Sequence, residues 1–282
     1  QLPLSSTGVL QADSRKVHAG DIFVACQGEY ADGRVYIADA IARGAAAVVY
    51  DSDDFAWLSE AQVPMYPVAH LRKYAGILAS QAYGNPSHQM PVIGVTGTNG
   101  KTSCTQWLAQ AFDCLQQKTA VIGGVGNGFM GNLQAATHTT PEVLTLQALL
   151  HHFCQQGAQR IAMEVSSHGL EQHRVAGVRF DVAILTNLTR DHLDYHGSMQ
   201  AYASAKAKLF QMPDLRVAIL NLDDDFGVQL HEQIDSKVTV YTYGFHAQAQ
   251  VQCTRLDLSA SGMLLSLSTP WGDGVLQSSM LG

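Results

Sequence analysis

Short, nearly uninterrupted runs of apolar residues recur along this chain, and segments with helical spacing separate them. Such runs are typical of strands buried on both faces of a parallel sheet, because neither face needs polar side chains. Their alternation with helices, such as the segment from Val143 to Gln156, predicts an α/β protein with a mainly parallel, doubly wound sheet. After the second run, a glycine-rich loop is expected up to Gly131. The runs occupy residues 92–95, 119–123, 161–165, 182–186 and 217–220.

The first part of the chain shows the same alternation on a smaller scale. It ends at Gly84-Asn85-Pro86-Ser87, which combines helix-stop and turn residues. We therefore predict two domains, a small N-terminal α/β domain at 1–87 and a central domain at 88–282. The elements predicted in the first domain are strands at 21–25 and 46–50 and helices at 35–44 and 71–83.

Toward the end of the chain, apolar and polar residues alternate. Three segments, at 251–258, 263–268 and 275–278, show this alternation, and turn sequences rich in Ser, Gly and Pro separate them. Strict alternation is typical of strands with one exposed face. We therefore predict an antiparallel meander beside the main sheet.

A glycine-rich turn lies between the apolar run ending at Val95 and the helix that follows. Its glycines allow backbone N–H groups to close around phosphate oxygens, and the helix N-terminus adds a favourable dipole. Lys101 would then reach the terminal phosphates, and the Thr102 hydroxyl would contact a Mg2+ ion. Val95 stands where the general pattern has glycine, so an ordinary strand-to-helix loop is the alternative; the flanking strand and helix favour an ATP site. The predicted cofactor-binding residues are Gly97, Thr98, Asn99, Gly100, Lys101, Thr102 and Ser103.

Polar residues cluster where the predicted strands end. In open α/β sheets the carboxyl ends of the strands meet at one edge, where ligands bind. Glu164 there could hold Mg2+ opposite Thr102, or it could cap the next turn. His168 fits a structural role as well as a functional one. The segment 186–196 suits either metal binding or a solvated loop, and Asp223-Asp224-Asp225 could cap a helix.

Other charged residues have ordinary explanations from composition alone. Lys206 and Lys208 lie on a predicted helix, where lysines are normally surface charges. Asp13-Ser14-Arg15 and Asp32-Gly33-Arg34 are typical of turns. Composition by itself therefore assigns none of them to a site.

Bulk properties exclude several classes of protein. The 282 residues are 46% hydrophobic and 15% charged, which describes a globular protein with a sizeable core. The net charge of −7 argues against a nucleic-acid-binding protein, and no apolar stretch reaches the ~18 residues of a membrane span. The five cysteines form no Cys-x-x-Cys pair and fit free thiols. We expect a cytoplasmic protein that binds neither nucleic acid nor membrane.

Beyond the phosphate-binding loop, several short segments form a specific series. The most specific are Glu164-Val165-Ser166-Ser167-His168-Gly169-Leu170 and Asp191-His192-Leu193-Asp194-Tyr195-His196-Gly197. The others are Asp13-Ser14-Arg15 with residues 20–25, Asp32-Gly33-Arg34, residues 94–102, Thr139-Thr140-Pro141, Gln172-His173-Arg174-Val175 and Ala205-Lys206. In this order, nearly end to end, the series resembles the Mur ligase family.

The resemblance implies an ATP-dependent amide ligase of peptidoglycan precursor synthesis. ATP would phosphorylate a carboxylate of the D-glutamyl residue of UDP-N-acetylmuramoyl-L-alanyl-D-glutamate, and an incoming amine would attack the acyl phosphate. meso-Diaminopimelate is the preferred amine, with L-lysine as the alternative. The reaction depends on positioning and charge neutralisation, which a phosphate-binding loop, a lysine and Mg2+ ions supply.

The resemblance also implies roles for four catalytic or metal-binding residues beside Thr102. Lys101 would steady the phosphates, Thr102 and Glu164 would hold one Mg2+ ion, and His192 would help to hold a second. Lys206 matches the family's carbamylated lysine, a side chain with reversed charge that becomes a metal ligand. This implication replaces the surface-lysine interpretation.

Two groups of substrate-binding residues follow from the resemblance in the same way. Arg174 suits a carboxylate or pyrophosphate because its planar guanidinium can bind two oxygens. His138 stands where relatives often have asparagine. The residues implied for uridine diphosphate are Ala12, Ser14, Glu29, Tyr30 and Ala31, and those for the muramoyl-dipeptide are His138, Thr139, Thr140, Ser166, Gln172 and Arg174.

The family has a third, C-terminal domain that closes over ATP and recognises the incoming amino acid. We expect that domain to be absent from this chain, which should then bind the UDP-sugar peptide but ligate poorly or not at all. Alternative functions are a related amide ligase such as another Mur ligase or a folylpolyglutamate synthase, a non-catalytic nucleotide-sugar-binding module, and a P-loop phosphotransferase. The last gives no role to the N-terminal domain.

Overall fold

Two β-sheets organise the chain. The structure, a computed structural model, describes residues 8–28, 31–57, 60 and 62–280. Within these residues one sheet has four strands and the other has eleven, and helices alternate with the strands in both. The predicted α/β class is confirmed. No helix in this part of the chain is long and apolar enough to cross a membrane.

The first sheet is wholly parallel. Its core strands are buried on both faces: Val24 and Val49 pack toward one hydrophobic cluster, and Phe23 and Val48 pack toward the other. This follows from the alternation of side chains along a strand. The strands, in hydrogen-bonded order, are β1 (Leu10–Gln11), β2 (Ile22–Ala25), β3 (Ala47–Asp51) and β4 (Met65–Val68), and the helices are α1 (Ile37–Ala42) and α2 (Leu71–Ala82).

The sequence pattern missed the two outer strands of this sheet. β1 has only two residues, and β4 contains Pro67, which lacks an N–H group and is tolerated at a sheet edge. The helix predicted at 35–44 begins with a 3-10 turn, Gly33–Tyr36, before α1. Asp32 caps that turn by accepting a hydrogen bond from the Arg34 N–H group.

The second sheet contains the apolar runs as parallel strands. Its first strands are β5 (Val92–Thr96), β6 (Thr119–Gly123), β7 (Gly126–Phe129), β8 (Asn132–Gln134), β9 (Arg160–Glu164) and β10 (Val182–Leu185). Its later strands are β11 (Val217–Asn221), β12 (Thr239–Gly244), β13 (Val251–Ser259), β14 (Gly262–Ser268) and β15 (Gly274–Ser278). Its helices are α3 (Lys101–Cys114), α4 (Val143–Gln155), α5 (Ser167–Glu171), α6 (Leu193–His196), α7 (Met199–Ala207) and α8 (Asp225–Gln233).

The strand order is β15-β14-β13-β12-β11-β10-β5-β9-β6-β7-β8. The pairs from β13 through β12, β11, β10, β5 and β9 to β6 are parallel, and β13, β14 and β15 form the predicted antiparallel meander. The phosphate-binding loop therefore follows a central strand, β5, with β10 and β9 on either side. The ends of these two neighbours carry the polar residues nearest to the loop.

The loop expected up to Gly131 is an antiparallel hairpin, β7 and β8, at the sheet edge, so that expectation was wrong. A Cβ on Gly128 would lie 2.4 Å from the carbonyl oxygen of Asn132. The glycines thus allow the two strands to approach, and glycine richness was a misleading sign of a loop.

The two sheets contact each other through helix α2. A Cβ on Gly76 would lie 2.1 Å from the carbonyl oxygen of Ala176, so only a glycine allows this approach. Tyr83, just after α2, stacks on His151 of α4 at 5.2 Å between ring centroids, and the Tyr83 carbonyl lies 3.0 Å from His151 Nδ1. The domain boundary between residues 87 and 88 stays a prediction.

We expect Gly76→Ala to lower the free energy of unfolding by at least about 2 kcal/mol, because the overpacking outweighs the ~1 kcal/mol that alanine gains over glycine in a helix. Urea denaturation measures the change. Gly274→Ala is the matched control, since a Cβ there meets nothing within 4 Å. Equal stability of the two variants would show that the close contact at Gly76 has no energetic weight.

Candidate active site

The turn after β5 has the geometry of a phosphate-binding loop. Gly97 and Gly100 adopt positive φ values of 147° and 84°, and α3 begins at Lys101. The backbone hydrogen bond that opens the helix runs from the Cys104 N–H group to the Gly100 carbonyl, at 2.9 Å. The helix itself supplies no such partner to the N–H groups of residues 101–103, which are left to bind an anion.

The end of β10 holds this loop in place. The Thr98 N–H group donates to the Asn187 carbonyl at 2.9 Å, and the Asn99 N–H group donates to Asn187 Oδ1 at 3.0 Å. Thr186 Oγ1 donates to the Asn99 carbonyl at 2.6 Å. A Cβ on Gly97 would lie 1.9 Å from Thr186 Oγ1, so the loop requires glycine there for space as well as for its φ value.

A buried carboxylate lies beside the first helical turn. Thr102 Oγ1 is 3.0 Å from both carboxylate oxygens of Glu164, and the Gly124 N–H group donates to Glu164 Oε1 at 2.9 Å. The Glu164 residue is only 2% exposed, and it has no ion-pair partner among the described residues. A buried carboxylate without a cation is costly, so this position favours binding of a positive ion.

Two lysines converge on the loop from different elements. Lys101 Nζ donates to the carbonyls of Gly97 and Thr98, both at 2.9 Å, and Lys206 Nζ donates to the same Gly97 carbonyl at 2.9 Å. Lys206 is 1% exposed, so the surface interpretation was wrong for it. Lys208 is partly exposed and pairs with Glu171, as a surface lysine does.

Burial and the neighbouring Lys101 ammonium lower the pKa of Lys206 to about 7. Burial also lowers the pKa of Lys101. Both shifts arise mainly because water cannot solvate either ammonium fully. The Lys101 charge lowers the pKa of Lys206 further, whereas the carboxylates of Glu164 and Asp191 partly offset the shift of Lys101. Lys206 is therefore the more readily deprotonated of the two amines.

A cluster of histidine and tyrosine rings continues from Lys206. Lys206 Nζ lies 4.5 Å from the Tyr202 ring centroid, and the His192 ring lies 6.1 Å from Tyr202 and 4.8 Å from His168. Burial and the neighbouring His192 lower the pKa of His168. The cluster places His192, which is half-exposed, on the same side of the loop as Lys206.

Tyr202 was missed by the sequence analysis. It is fully buried and its hydroxyl lies 3.3 Å from Thr98 Oγ1, so it joins α7 to the phosphate-binding loop. The signal was present, because Tyr202 and Lys206 are four residues apart and share a helix face.

Three of the predicted substrate residues lie beside Glu164. Thr140 is buried; its Oγ1 donates to the Glu164 carbonyl and accepts from the Ser166 N–H group, both at 2.9 Å. Ser166 Oγ caps α5 by accepting from the Gly169 N–H group at 3.0 Å. Thr139 faces Gly124, the residue whose N–H group binds Glu164.

A cleft of about 1180 Å³ lies between the two sheets. Arg174 enters it from the second sheet; its guanidinium donates to the Thr140 carbonyl at 3.2 Å and pairs with Glu142 at 3.1 Å. Arg72 and Glu142 line it without any sequence signal that singled them out. The predicted substrate residues that the cleft brings together are Ala12, Ser14, Ala31, His138, Gln172 and Arg174.

Not every prediction meets in one place. Glu29 and Tyr30 lie outside the described residues. Thr139, Thr140 and Ser166 belong to the surroundings of Glu164 and not to the cleft lining. Within the described residues no group of three or more His, Cys, Asp or Glu side chains is arranged to hold a metal ion by itself.

The fold and this edge of the sheet define the class: an α/β nucleotide-binding protein with a P-loop. The chain belongs to the Mur ligase family. The model of the Mur ligase middle domain matches residues 95–282, and that of the Mur ligase family catalytic domain matches residues 8–83.

Two curated relatives and one solved structure that resemble this chain share a name. The UDP-N-acetylmuramoyl-L-alanyl-D-glutamate–2,6-diaminopimelate ligase of Neisseria meningitidis serogroup A is 51% identical over 99% of this chain and 60% of its own length. The enzyme of that name from Chromobacterium violaceum is 52% identical over 97% of this chain and 56% of its own length. A solved structure of a ligase of that name is 36% identical, has a TM-score of 0.83 and is covered over 56% of its length, against 97% of this chain. The chain thus spans less than two thirds of the length of these relatives.

We expect Gly97→Ala to weaken ADP binding at least tenfold, or ~1.4 kcal/mol, because the Cβ displaces either the loop or Thr186. Isothermal titration calorimetry measures the affinity, again with Gly274→Ala as the control. Native affinity in a folded Gly97→Ala protein would contradict the assignment of this loop to phosphate binding.

Proposed function

We propose that this chain is the sugar-nucleotide- and ATP-binding part of an ATP-dependent amide ligase of peptidoglycan precursor synthesis. The reaction is the addition of meso-diaminopimelate to UDP-N-acetylmuramoyl-L-alanyl-D-glutamate. The observation that carries the proposal is the continuity of two sites. Arg174 in the cleft contacts Thr140, and Thr140 contacts Glu164 beside the phosphate-binding loop.

The cleft is suited to the sugar nucleotide. A volume of about 1180 Å³ exceeds that of most small-ligand pockets, as a UDP-linked sugar with a peptide requires. Arg174 and Arg72 supply positive charge for pyrophosphate or carboxylate groups. In this arrangement Ala12, Ser14 and Ala31 face the uridine diphosphate end, and His138, Gln172 and Arg174 face the muramoyl-peptide.

The surroundings of Glu164 fit Mg2+. The donors are a hydroxyl and a carboxylate, which are the oxygen ligands that this ion prefers, and the carboxylate is buried without a cation. Mg2+ commonly takes only one or two protein ligands and completes its shell with nucleotide phosphates and water, which agrees with the small number of protein ligands at this position. Thr102 and Glu164 would hold the first ion, and His192 with a modified Lys206 would hold the second.

Lys206 fits carbamylation. Only a neutral amine can add to CO2, and a pKa of about 7 leaves about half of the Lys206 amines neutral at neutral pH. Carbamylation would replace the positive charge beside Lys101 by a negative one, so the repulsion between two ammonium groups would become attraction. The carbamate N–H group could still donate to the Gly97 carbonyl, which would keep the modified side chain at the phosphate-binding loop.

The chain's own residues would then position the reactants. The N–H groups of residues 101–103 and Lys101 bind the phosphates, and Arg174 orients the peptide carboxylate toward them. When bound, ATP supplies the phosphoryl group that activates that carboxylate. We also propose the domain boundary at residues 87 and 88, and a cytoplasmic location.

A phosphate-release assay tests the function. The full-length protein that contains this chain is given ATP, UDP-N-acetylmuramoyl-L-alanyl-D-glutamate and either diaminopimelate or lysine. We expect phosphate release that depends on diaminopimelate, and we expect the 282 residues alone to bind the UDP-sugar peptide but to ligate slowly. Release with lysine only, or with a folate acceptor only, would reject the proposed substrate.

In the same assay we expect Arg174→Met to raise the KM for the UDP-sugar peptide about thirtyfold, because loss of a charged hydrogen-bond donor costs about 2 kcal/mol. Arg216→Met is the control, since this arginine is exposed and is not among the residues that line the cleft. An unchanged KM in Arg174→Met would remove Arg174 from the substrate site.

We expect a carbamate on Lys206 to form increasingly between pH 6 and pH 8 at a fixed concentration of dissolved 13CO2. The neutral fraction rises from about a tenth at pH 6 to about nine tenths at pH 8 for a pKa of about 7. The carbamate carbon is followed by 13C NMR. Lys206→Met should abolish the signal and Lys208→Met should leave it, and a signal that survives Lys206→Met would assign the modification elsewhere.

A further inference from the structure

One wall of the cleft is the base of a short hairpin, residues 26–28 and 31–33. The Gly33 N–H group donates to the Cys26 carbonyl at 2.9 Å, and the Gly28 N–H group donates to the Ala31 carbonyl at 2.8 Å. Gln27 and Asp32 form an antiparallel bridge between these two bonds. All members of the hairpin base except Asp32 line the cleft.

Asp32 instead binds a buried arginine. Arg34 is 7% exposed; its Nε lies 2.9 Å from Asp32 Oδ1, and its Nη2 lies 2.8 Å from Asp32 Oδ2. This two-point pairing fixes the direction of the carboxylate as well as its distance, and it lowers the pKa of Asp32. The pair of Asp32 and Arg34 thus supports the hairpin base from the side that faces away from the cleft.

The same guanidinium reaches a second segment. Arg34 Nη1 donates to the Asp53 carbonyl at 2.7 Å, and the guanidinium carbon lies 4.9 Å from the centroid of the Phe55 ring. Asp53 in turn accepts from the His70 N–H group at 3.0 Å and pairs with the His70 ring at 2.7 Å. His70 immediately precedes α2, which carries Arg72 into the cleft.

Arg34 therefore connects two walls of the cleft that are far apart in sequence. On one side it holds the hairpin base through Asp32, and on the other it reaches the first turn of α2 through Asp53 and His70. Arg34 does not line the cleft itself. Its buried charge is balanced by Asp32 and its N–H groups bind backbone carbonyls, an arrangement that only a planar, multi-donor cation can satisfy.

We propose that Arg34 is a positioning residue for the sugar-nucleotide cleft, and that it sets the distance between the hairpin base and the Arg72 end of α2. The inference rests on the proposed function, because it assigns uridine diphosphate to this cleft. It gives Asp32-Gly33-Arg34, which composition explains as an ordinary turn, a role in substrate affinity.

The experiment measures two affinities in each variant by calorimetry, UDP for the cleft and ADP for the phosphate-binding loop. We expect Arg34→Met to raise the Kd for UDP at least tenfold and to leave the Kd for ADP within twofold of native. Arg34→Lys should not restore UDP binding, because one ammonium cannot pair with Asp32 at two points and reach Asp53. Arg255→Met, which removes an exposed arginine paired with Asp257 on β13, should change neither affinity.

Asp32→Asn provides a second route if Arg34→Met does not fold. It breaks the two-point pairing while Arg34 keeps its bond to the Asp53 carbonyl, and it should also raise the Kd for UDP with that for ADP unchanged. If either folded variant bound UDP within twofold of the native affinity, the inference would be overturned and the proposed function would stand. Equal loss of both affinities would also overturn the inference, because it would show that Arg34 has only a general structural role. Failure of the native protein to bind UDP would overturn both the inference and the proposed function.

Discussion

The convergence of two lysine ammonium groups on one backbone carbonyl is the constraint around which the candidate site is built. Lys101 and Lys206 both donate to the Gly97 carbonyl at 2.9 Å, and Lys206 is fully buried. Like charges so close are unfavourable unless something negative lies between them or one of them loses its proton. The loop is therefore prepared for an anion, and Lys206 is prepared for a change of charge.

Glu164 provides the opposite charge on the other side of the first turn of α3. Its carboxylate is held by Thr102 and Gly124 and has no cationic partner among the described residues within ion-pair distance. A nucleoside triphosphate with a divalent cation supplies both the anion for the lysines and the cation for the carboxylate, because its phosphates contact the lysines and its cation contacts Glu164. Contacts such as the one between Asn187 and Asn99 hold the loop and the end of β10 together, so that the lysines and the carboxylate keep their relative positions.

The second binding region depends on contact between the two sheets. The close approach of Gly76 to Ala176, and the stacking of Tyr83 on His151, fix α2 against the larger sheet. The cleft therefore has walls from both parts of the chain. A short chain of hydrogen bonds, from Arg174 to Thr140 and from Thr140 to Glu164, connects the cleft with the phosphate-binding edge.

Local sequence alone determined most of the buried parallel strands, the longer helices, the phosphate-binding turn and the terminal meander, because side-chain period and glycine placement act over a few residues. It did not reveal β1, β4 or β12. It failed where the environment is made by distant segments. Lys206 resembles a surface lysine in sequence, but in the fold it is buried and donates to the Gly97 carbonyl, 109 positions away. The glycine-rich segment after β6 forms strand β7 because β8 pairs with it. Likewise Arg34 belongs to a turn in sequence and becomes a link between cleft walls in space. Tertiary packing decided these cases, since burial, charge proximity and strand pairing exist only once residues far apart in the chain are brought together.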